Sequence, residues 1–262
     1  MGDRVLIPLA SHDFDVTEVV VPWDALRKAG AEVVFATEDG QPGQCDQRLL
    51  TSVIFGQLGA RPENVALYRE LELDPAFLKP LRWADLRMLD YRCLILHGGH
   101  APRIRQFLES AVLQEKVRQF WALERPLGAI CHGNLLLART VDLRTEKSII
   151  AGRRMTCLTR MMERSAYWLT AWKLGRYYRP YDEWCEDEVR RALGPGKFES
   201  GPLIPSYDNP FVVEDGNLIT GRWPGDARAA VVKHLPAKIS GCVDTGLGRC
   251  LISGADQASG AR

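Results

Sequence analysis

Cys131-His132 is the pair in this chain best suited to covalent chemistry. An apolar run (Leu127, Ala129, Ile130) leads into it, and Gly133-Asn134-Leu135-Leu136-Leu137-Ala138 continues with a helical pattern. The stretch reads as strand, sharp turn, helix, with a thiol at the turn. Unpaired N–H groups at a helix start, and the helix dipole, favour a thiolate there. An adjacent imidazole can accept or return a proton. A buried core cysteine beside a structural histidine would give the same short motif, so the surrounding elements have to decide.

Those elements read as an α/β chain. Residues 5–10 are a short apolar run, read as a buried parallel strand with Pro8 near its end. A helix follows with Val20, Val21, Leu26 and Ala29 inward and Gly30 as its stop, then a strand over 31–38. Strand, helix, strand is a βαβ unit. Residues 49–58 predict a short strand or hairpin, and 74–89 one or two short helices starting near Pro75 and Pro80. Residues 92–97 predict the next strand, which runs into Gly98-Gly99-His100. One long amphipathic helix is predicted over 102–124, because Ile104, Phe107, Leu108, Ala111, Val117, Phe120 and Trp121 recur at helical spacing. Residues 154–159 predict another strand. Residues 161–193 predict a helical, aromatic insertion, either a lid or a surface helix packed by its tryptophans. Residues 211–221 predict a hairpin turning near Asp215-Gly216-Asn217. The expected fold class is therefore a flavodoxin-like parallel sheet sandwiched by helices, a single domain over 1–239. Residues 240–262, rich in Gly, Ser and Ala, are expected to be disordered.

Bulk properties remove several function classes. The chain has 262 residues, 34 Lys plus Arg against 33 Asp plus Glu, and a net charge of +1. No basic stripe with interleaved aromatics suggests nucleic acid. No apolar run approaches the roughly 20 residues that span a bilayer. The first residues lead straight into a strand pattern, which does not predict a signal peptide. Seven cysteines occur at irregular spacings without a C-x-x-C, which disfavours structural zinc and fits a reducing, cytoplasmic compartment.

In an open parallel sheet the C-terminal strand ends share one edge, where ligands bind. The loop with His12, Asp13, Asp15 and Glu18, the Gly98-Gly99-His100 turn and the Cys131-His132 pair should line one crevice. Four stretches then resemble the ThiJ/PfpI superfamily, of the class I glutamine amidotransferase-like fold. Residues 17–23 resemble its first helix, whose glutamate contacts the reactive cysteine. His97-Gly98-Gly99-His100 resembles its glycine turn, with His97 where the family has proline. Residues 129–133 match its nucleophile elbow, and 215–221 resemble its late hairpin. Together they cover residues 1 to 230. The histidine directly after the cysteine resembles the heat-shock chaperone and glyoxalase III branch, and also the intracellular-peptidase-like group. In the glyoxalase branch a later carboxylate completes a triad, which puts Glu163 in that place, although Arg160-Met161-Met162 is bulkier than the resemblance leads one to expect.

The resemblance implies Cys131 as nucleophile, His132 as general base and acid, Glu163 as its orienting carboxylate, and Glu18 as a protonated or proton-sharing carboxyl beside the sulfur. The Gly99 and His132 N–H groups would form an oxyanion hole. His12 and His100 are candidate substrate contacts. His12, Asp13, Asp15, His97 and His100 lack the spacing of a fixed ligand set, so no metal and no other cofactor is expected. The implied activity is glutathione-independent conversion of a small 2-oxoaldehyde to a 2-hydroxy acid by a homodimeric enzyme. Alternatives are a stress chaperone or cysteine redox sensor without turnover, and amidase, peptidase or hydratase chemistry on the same constellation.

Overall fold

The computed structural model describes residues 3–53 and 58–230. The expected tail lies outside the described residues. A seven-stranded sheet organises the chain: β1 (Arg4–Pro8), β2 (Glu32–Thr37), β3 (Leu81–Arg82), β4 (Cys93–Leu96), β5 (Leu127–Ile130), β6 (Val212–Asp215) and β7 (Leu218–Gly221). Their order is β6-β7-β5-β4-β1-β2-β3. Every pairing is parallel except β6 against β7. β1, β4 and β5 are apolar runs buried at nearly every position, as expected of strands covered on both faces. The first strand lies between β2 and β4, so the chain reverses its direction of travel across the sheet there, which opens a crevice at the carboxyl ends of β1 and β4.

Helix α1 (Val16–Lys28) follows β1. Asp15 caps it by accepting from the Glu18 N–H at 3.1 Å, and its inner face buries Val16, Val19, Val20, Trp23 and Leu26. Helix α2 (Pro62–Leu71), which the sequence reading did not assign, packs on α1 with Tyr68 and Leu71 buried. The single helix expected over 102–124 is instead broken. A short helical piece ends at Leu108, and Ser110 then caps α3 (Ala111–Trp121) by accepting from Leu113 N–H at 3.2 Å. A serine able to satisfy a helix N–H outweighs the apolar periodicity that runs through it. Residues 48–51 form one helical turn rather than the start of a strand.

Helix α4 (Gly133–Arg139) follows β5. Beyond it, the strand expected at 154–159 reaches only Arg154–Met155, and it pairs with Lys197–Phe198 outside the main sheet. Thr156 then bonds the main sheet through its N–H to Thr220 Oγ1 at 2.9 Å. Helices α5 (Arg160–Leu174) and α6 (Cys185–Leu193) make up the aromatic segment. Trp168 and Trp172 are 66% and 68% exposed, so these tryptophans do not pack it down. Tyr177 and Tyr178 anchor the segment by donating to buried Asp46 at 3.2 and 2.9 Å. Among the described residues no helix is long and apolar enough to cross a membrane.

Candidate active site

Cys131 sits at the turn between β5 and α4 with φ +55°, a left-handed conformation that costs a residue with a Cβ roughly 1–2 kcal/mol. Several contacts hold it there. Its N–H donates to Gly221 O at 3.1 Å, and Asn134 Nδ2 donates to both Cys131 O and Gly221 O, at 3.0 and 3.3 Å. A Cβ on Gly133 would lie 2.6 Å from His97 O, so the elbow needs glycine after its histidine. Strain kept by this many constraints is typical of a functional turn.

His132 lies between two partners. Its Nδ1 is 3.7 Å from Cys131 Sγ, and its Nε2 is 3.3 Å from Glu163 Oε1. Glu163 Oε2 in turn accepts from the Cys185 N–H at 2.9 Å. Burial alone would raise the Glu163 pKa. The hydrogen bond and charge of His132, with the Cys185 N–H, outweigh burial and hold the carboxyl below its ordinary value. An ionised Glu163 accepting from Nε2–H leaves Nδ1 free to take a proton from sulfur. Cys185 is the residue the sequence reading missed here, because a backbone N–H carries no side-chain signature.

On the other side of the thiol, Glu18 Oε2 accepts from the Gly98 N–H at 2.6 Å, while Oε1 is buried with no hydrogen-bond partner among the described residues. Burial, then the nearby charge of Asp15, pushes the Glu18 pKa well up, and the Gly98 N–H hydrogen bond, then contact with the Cys131 side chain, only partly opposes this. The shift favours the protonated, neutral form of Glu18. Asp15 is itself raised to about 6, mainly by burial. The thiol does not follow the expected helix-dipole effect. Burial pushes the Cys131 pKa well up, the neighbouring acids Glu18, Cys185 and Asp15 add to this to the extent that they are ionised, and the His132 N–H pulls it partly back. A fully buried sulfur after a seven-residue helix start is governed by desolvation. The resting state is a thiol.

The glycine turn is forced by contact. A Cβ on Gly98 would lie 2.7 Å from His132 N, 3.0 Å from Cys131 Cβ and 3.1 Å from Glu18 Oε2. One on Gly99 would lie 2.5 Å from Asp13 O. Gly98→Ala is expected to cost about 1–3 kcal/mol in urea unfolding and most of any thiol-dependent turnover. Wild-type values for both would remove this close approach as a constraint.

His97 is structural. Its Nε2 accepts from the Ala10 N–H at 3.3 Å, its Nδ1 pairs with Gly98 O at 2.8 Å, and its ring stacks on Phe107 at 4.5 Å. These partners assign the Nδ1–H tautomer, and burial lowers its pKa to about 4. It ties the ends of β1 and β4 together. Asp13, with φ +66°, holds Arg103 through two side-chain bonds of 3.2 and 2.9 Å. His12 lies in a short strand pairing with Gln44, and it is not among the described residues lining the cavity beside the site. His100 does line that cavity, and its ring meets the His132 ring edge-on at 4.7 Å. Burial, then the neighbouring His132, lowers its pKa to about 3, so it is neutral.

The geometry therefore joins Glu18, Gly98, Cys131, His132 and Glu163 in one buried cluster. A family model described as ThiJ/PfpI family-like matches residues 9–192. The chain belongs to the ThiJ/PfpI family. This ThiJ/PfpI protein is 23% identical over 222 residues to the glutathione-independent glyoxalase HSP31 of Saccharomyces cerevisiae, covering 85% of this chain and 87% of that one. It is 25% identical over 212 residues to glyoxalase 3 of Candida albicans, covering 81% and 84%. A Schizosaccharomyces pombe protein is 30% identical over 137 residues, with the match spanning 52% of this chain and 50% of that relative. The crystal structure of Candida albicans glyoxalase III superposes with a TM-score of 0.66 at 21% identity, over 90% of this chain and 97% of that one. That likeness establishes the shared fold.

The donor atoms of His100, Cys131 and His132 in this ThiJ/PfpI protein lie within 4.8 Å of one another, so a soft divalent ion could be held there. It would take up the thiol and imidazole that covalent chemistry needs, so the two uses exclude each other.

Glu18 also makes a stability statement. The folded state holds this proton more tightly than the unfolded chain, whose carboxyl has its ordinary value of 4.5. That contribution is fully present below pH 4.5 and is lost as pH rises toward the folded value. Glu18→Gln removes the cost of protonation. Its Tm is expected to exceed wild type by a few °C at pH 7, with the difference vanishing near pH 4, while turnover falls. A Tm below wild type at pH 7 would contradict a neutral Glu18.

Proposed function

We propose that this protein is a glutathione-independent glyoxalase that converts a 2-oxoaldehyde to the corresponding 2-hydroxy acid. The observation that carries the reading is His132, set between the Cys131 sulfur and the Glu163 carboxylate, with neutral Glu18 across the thiol. The glyoxalase-named relatives support the same chemistry.

His132 Nδ1 takes the thiol proton as Sγ bonds to the aldehyde carbon, giving a hemithioacetal. Its oxyanion is received by the Gly99 and His132 N–H groups and takes a proton from neutral Glu18. A base then removes the proton on that carbon, forming an enediol, and after exchange with solvent the same base delivers a proton to the adjacent carbon. The product is a thioester of the 2-hydroxy acid. Water adds to it, the carbon–sulfur bond breaks, and the acid leaves as the thiol regains its proton. Water is consumed, and no electrons enter or leave.

Burial of Cys131 argues against the competing readings. A peroxide sensor needs an exposed thiol of low pKa, and a peptidase needs an open groove. Full burial also means that a wall of the cavity moves when substrate enters, and α5 is the segment we assign to this lid role. The test is consumption of methylglyoxal in glutathione-free buffer, with formation of lactate. No consumption by the wild-type protein overturns the proposal.

A further inference from the structure

The cavity that borders the site at His100 is larger and more apolar than the smallest 2-oxoaldehyde requires. Its volume is about 310 Å³. A three-carbon 2-oxoaldehyde has the bulk of roughly three waters at ~30 Å³ each, and would leave most of that space empty. Pockets of about 300 Å³ and above hold ligands with a substantial apolar body.

One wall is the face of α5. Met161, Ser165 and Leu169 follow each other at four-residue spacing, beside Met162 and Ala166. Leu158, Tyr207 and Trp223 add further apolar surface. Methionine side chains adapt their shape to what they pack against, so this wall suits flexible carbon chains as well as rings. The bulky Met161-Met162 pair, which departs from the small residues expected after the strand at Arg154–Met155, thus acquires a use.

Three polar lining residues connect the cavity to the catalytic cluster. His100 meets the His132 ring at 4.7 Å, Asp15 accepts from the Glu18 N–H, and Thr17 precedes Glu18 in the chain. No Lys or Arg is among the described lining residues, His100 is uncharged, and Asp15 and Asp46 are acids. A substrate carrying a carboxylate or phosphate would meet no positive partner and two acidic ones. Cys131 is not among the described lining residues, so the cavity meets the catalytic cluster at His100, Asp15 and Thr17, and the rest of its wall is largely apolar.

We propose that the preferred substrates are neutral 2-oxoaldehydes whose second carbonyl carries an apolar chain or ring larger than methyl, held against α5, Tyr207 and Trp223. This rests on the glyoxalase reading and adds the substrate class. Burial of each extra methylene strengthens binding by an amount equivalent to about fourfold in affinity.

The experiment is a series of alkyl 2-oxoaldehydes from methyl to pentyl, with kcat/KM measured in glutathione-free buffer for the full chain. The expected result is a rise of about fourfold per methylene until the cavity is filled, and little turnover of a carboxylate-bearing analogue. Met162→Gln with Leu169→Gln should flatten the series, lowering the pentyl-to-methyl ratio about tenfold or more. In parallel, unreactive alkyl methyl ketones are titrated into Cys131→Ser, where affinity should rise with chain length. A flat or falling series with good methylglyoxal turnover overturns the substrate class and leaves the glyoxalase reading standing. No turnover of any aldehyde, with ketone affinity still rising, overturns the glyoxalase reading and leaves the apolar ligand class standing.

Discussion

Cys131→Ser is expected to lower kcat/KM for any 2-oxoaldehyde by about 10⁴-fold or more, to the background rate, while Tm stays within a few °C of wild type. The reasoning starts from the turn. Serine keeps the side-chain shape at φ +55°, so the contacts from Asn134 and Gly221 that hold the elbow survive. The chemistry does not survive. A buried hydroxyl beside a neutral acid and an imidazole is much harder to deprotonate than a thiol, and the later steps depend on a thioester from which sulfur leaves readily. Residual activity above a few per cent would remove Cys131 as the nucleophile, because neither Cys157 nor Cys185, both buried, sits at the elbow.

Glu163→Gln is expected to cut kcat by about 10²–10⁴-fold with KM nearly unchanged. The amide oxygen can still accept from the Cys185 N–H, so the fold is preserved. The amide nitrogen, however, then faces His132 Nε2 and makes that atom an acceptor. The ring proton moves to Nδ1, where it points at sulfur and blocks proton uptake. The substitution acts through the tautomer, so it should reshape the pH profile of kcat and spare aldehyde binding. Glu163→Asp, which keeps the charge but shortens the reach, should recover part of the lost rate. A glutamine variant with wild-type kcat would make Glu163 a structural partner of Cys185 alone.

The main sheet was legible because β1, β4 and β5 are apolar runs that end in residues unsuited to a strand, and because the hairpin turns at Gly216 with φ +60°. The cluster of Glu18, Gly98 and Cys131 followed from topology, since parallel strands bring their carboxyl ends to one edge. Three features were not legible. The break at Ser110 hides inside an unbroken apolar period, and a local capping bond decides it. Helix α2 carries little apolar patterning, and it holds by packing on α1 through Tyr68 and Leu71. The raised pKa of Cys131 depends on total burial, which no local motif encodes. The same holds for Cys185, whose N–H fixes the Glu163 carboxylate although its position in the sequence marks nothing.

The glyoxalase reading stands most directly on one product analysis. The wild-type protein is mixed with a 2-oxoaldehyde in glutathione-free D2O, beside Cys131→Ser, and the products are followed by proton NMR. The expected result is a 2-hydroxy acid from the wild-type protein only, with deuterium on the hydroxyl-bearing carbon, because the enediol exchanges its proton through a base. Unchanged aldehyde with the wild-type protein, or equal amounts of hydroxy acid from both proteins, would contradict it.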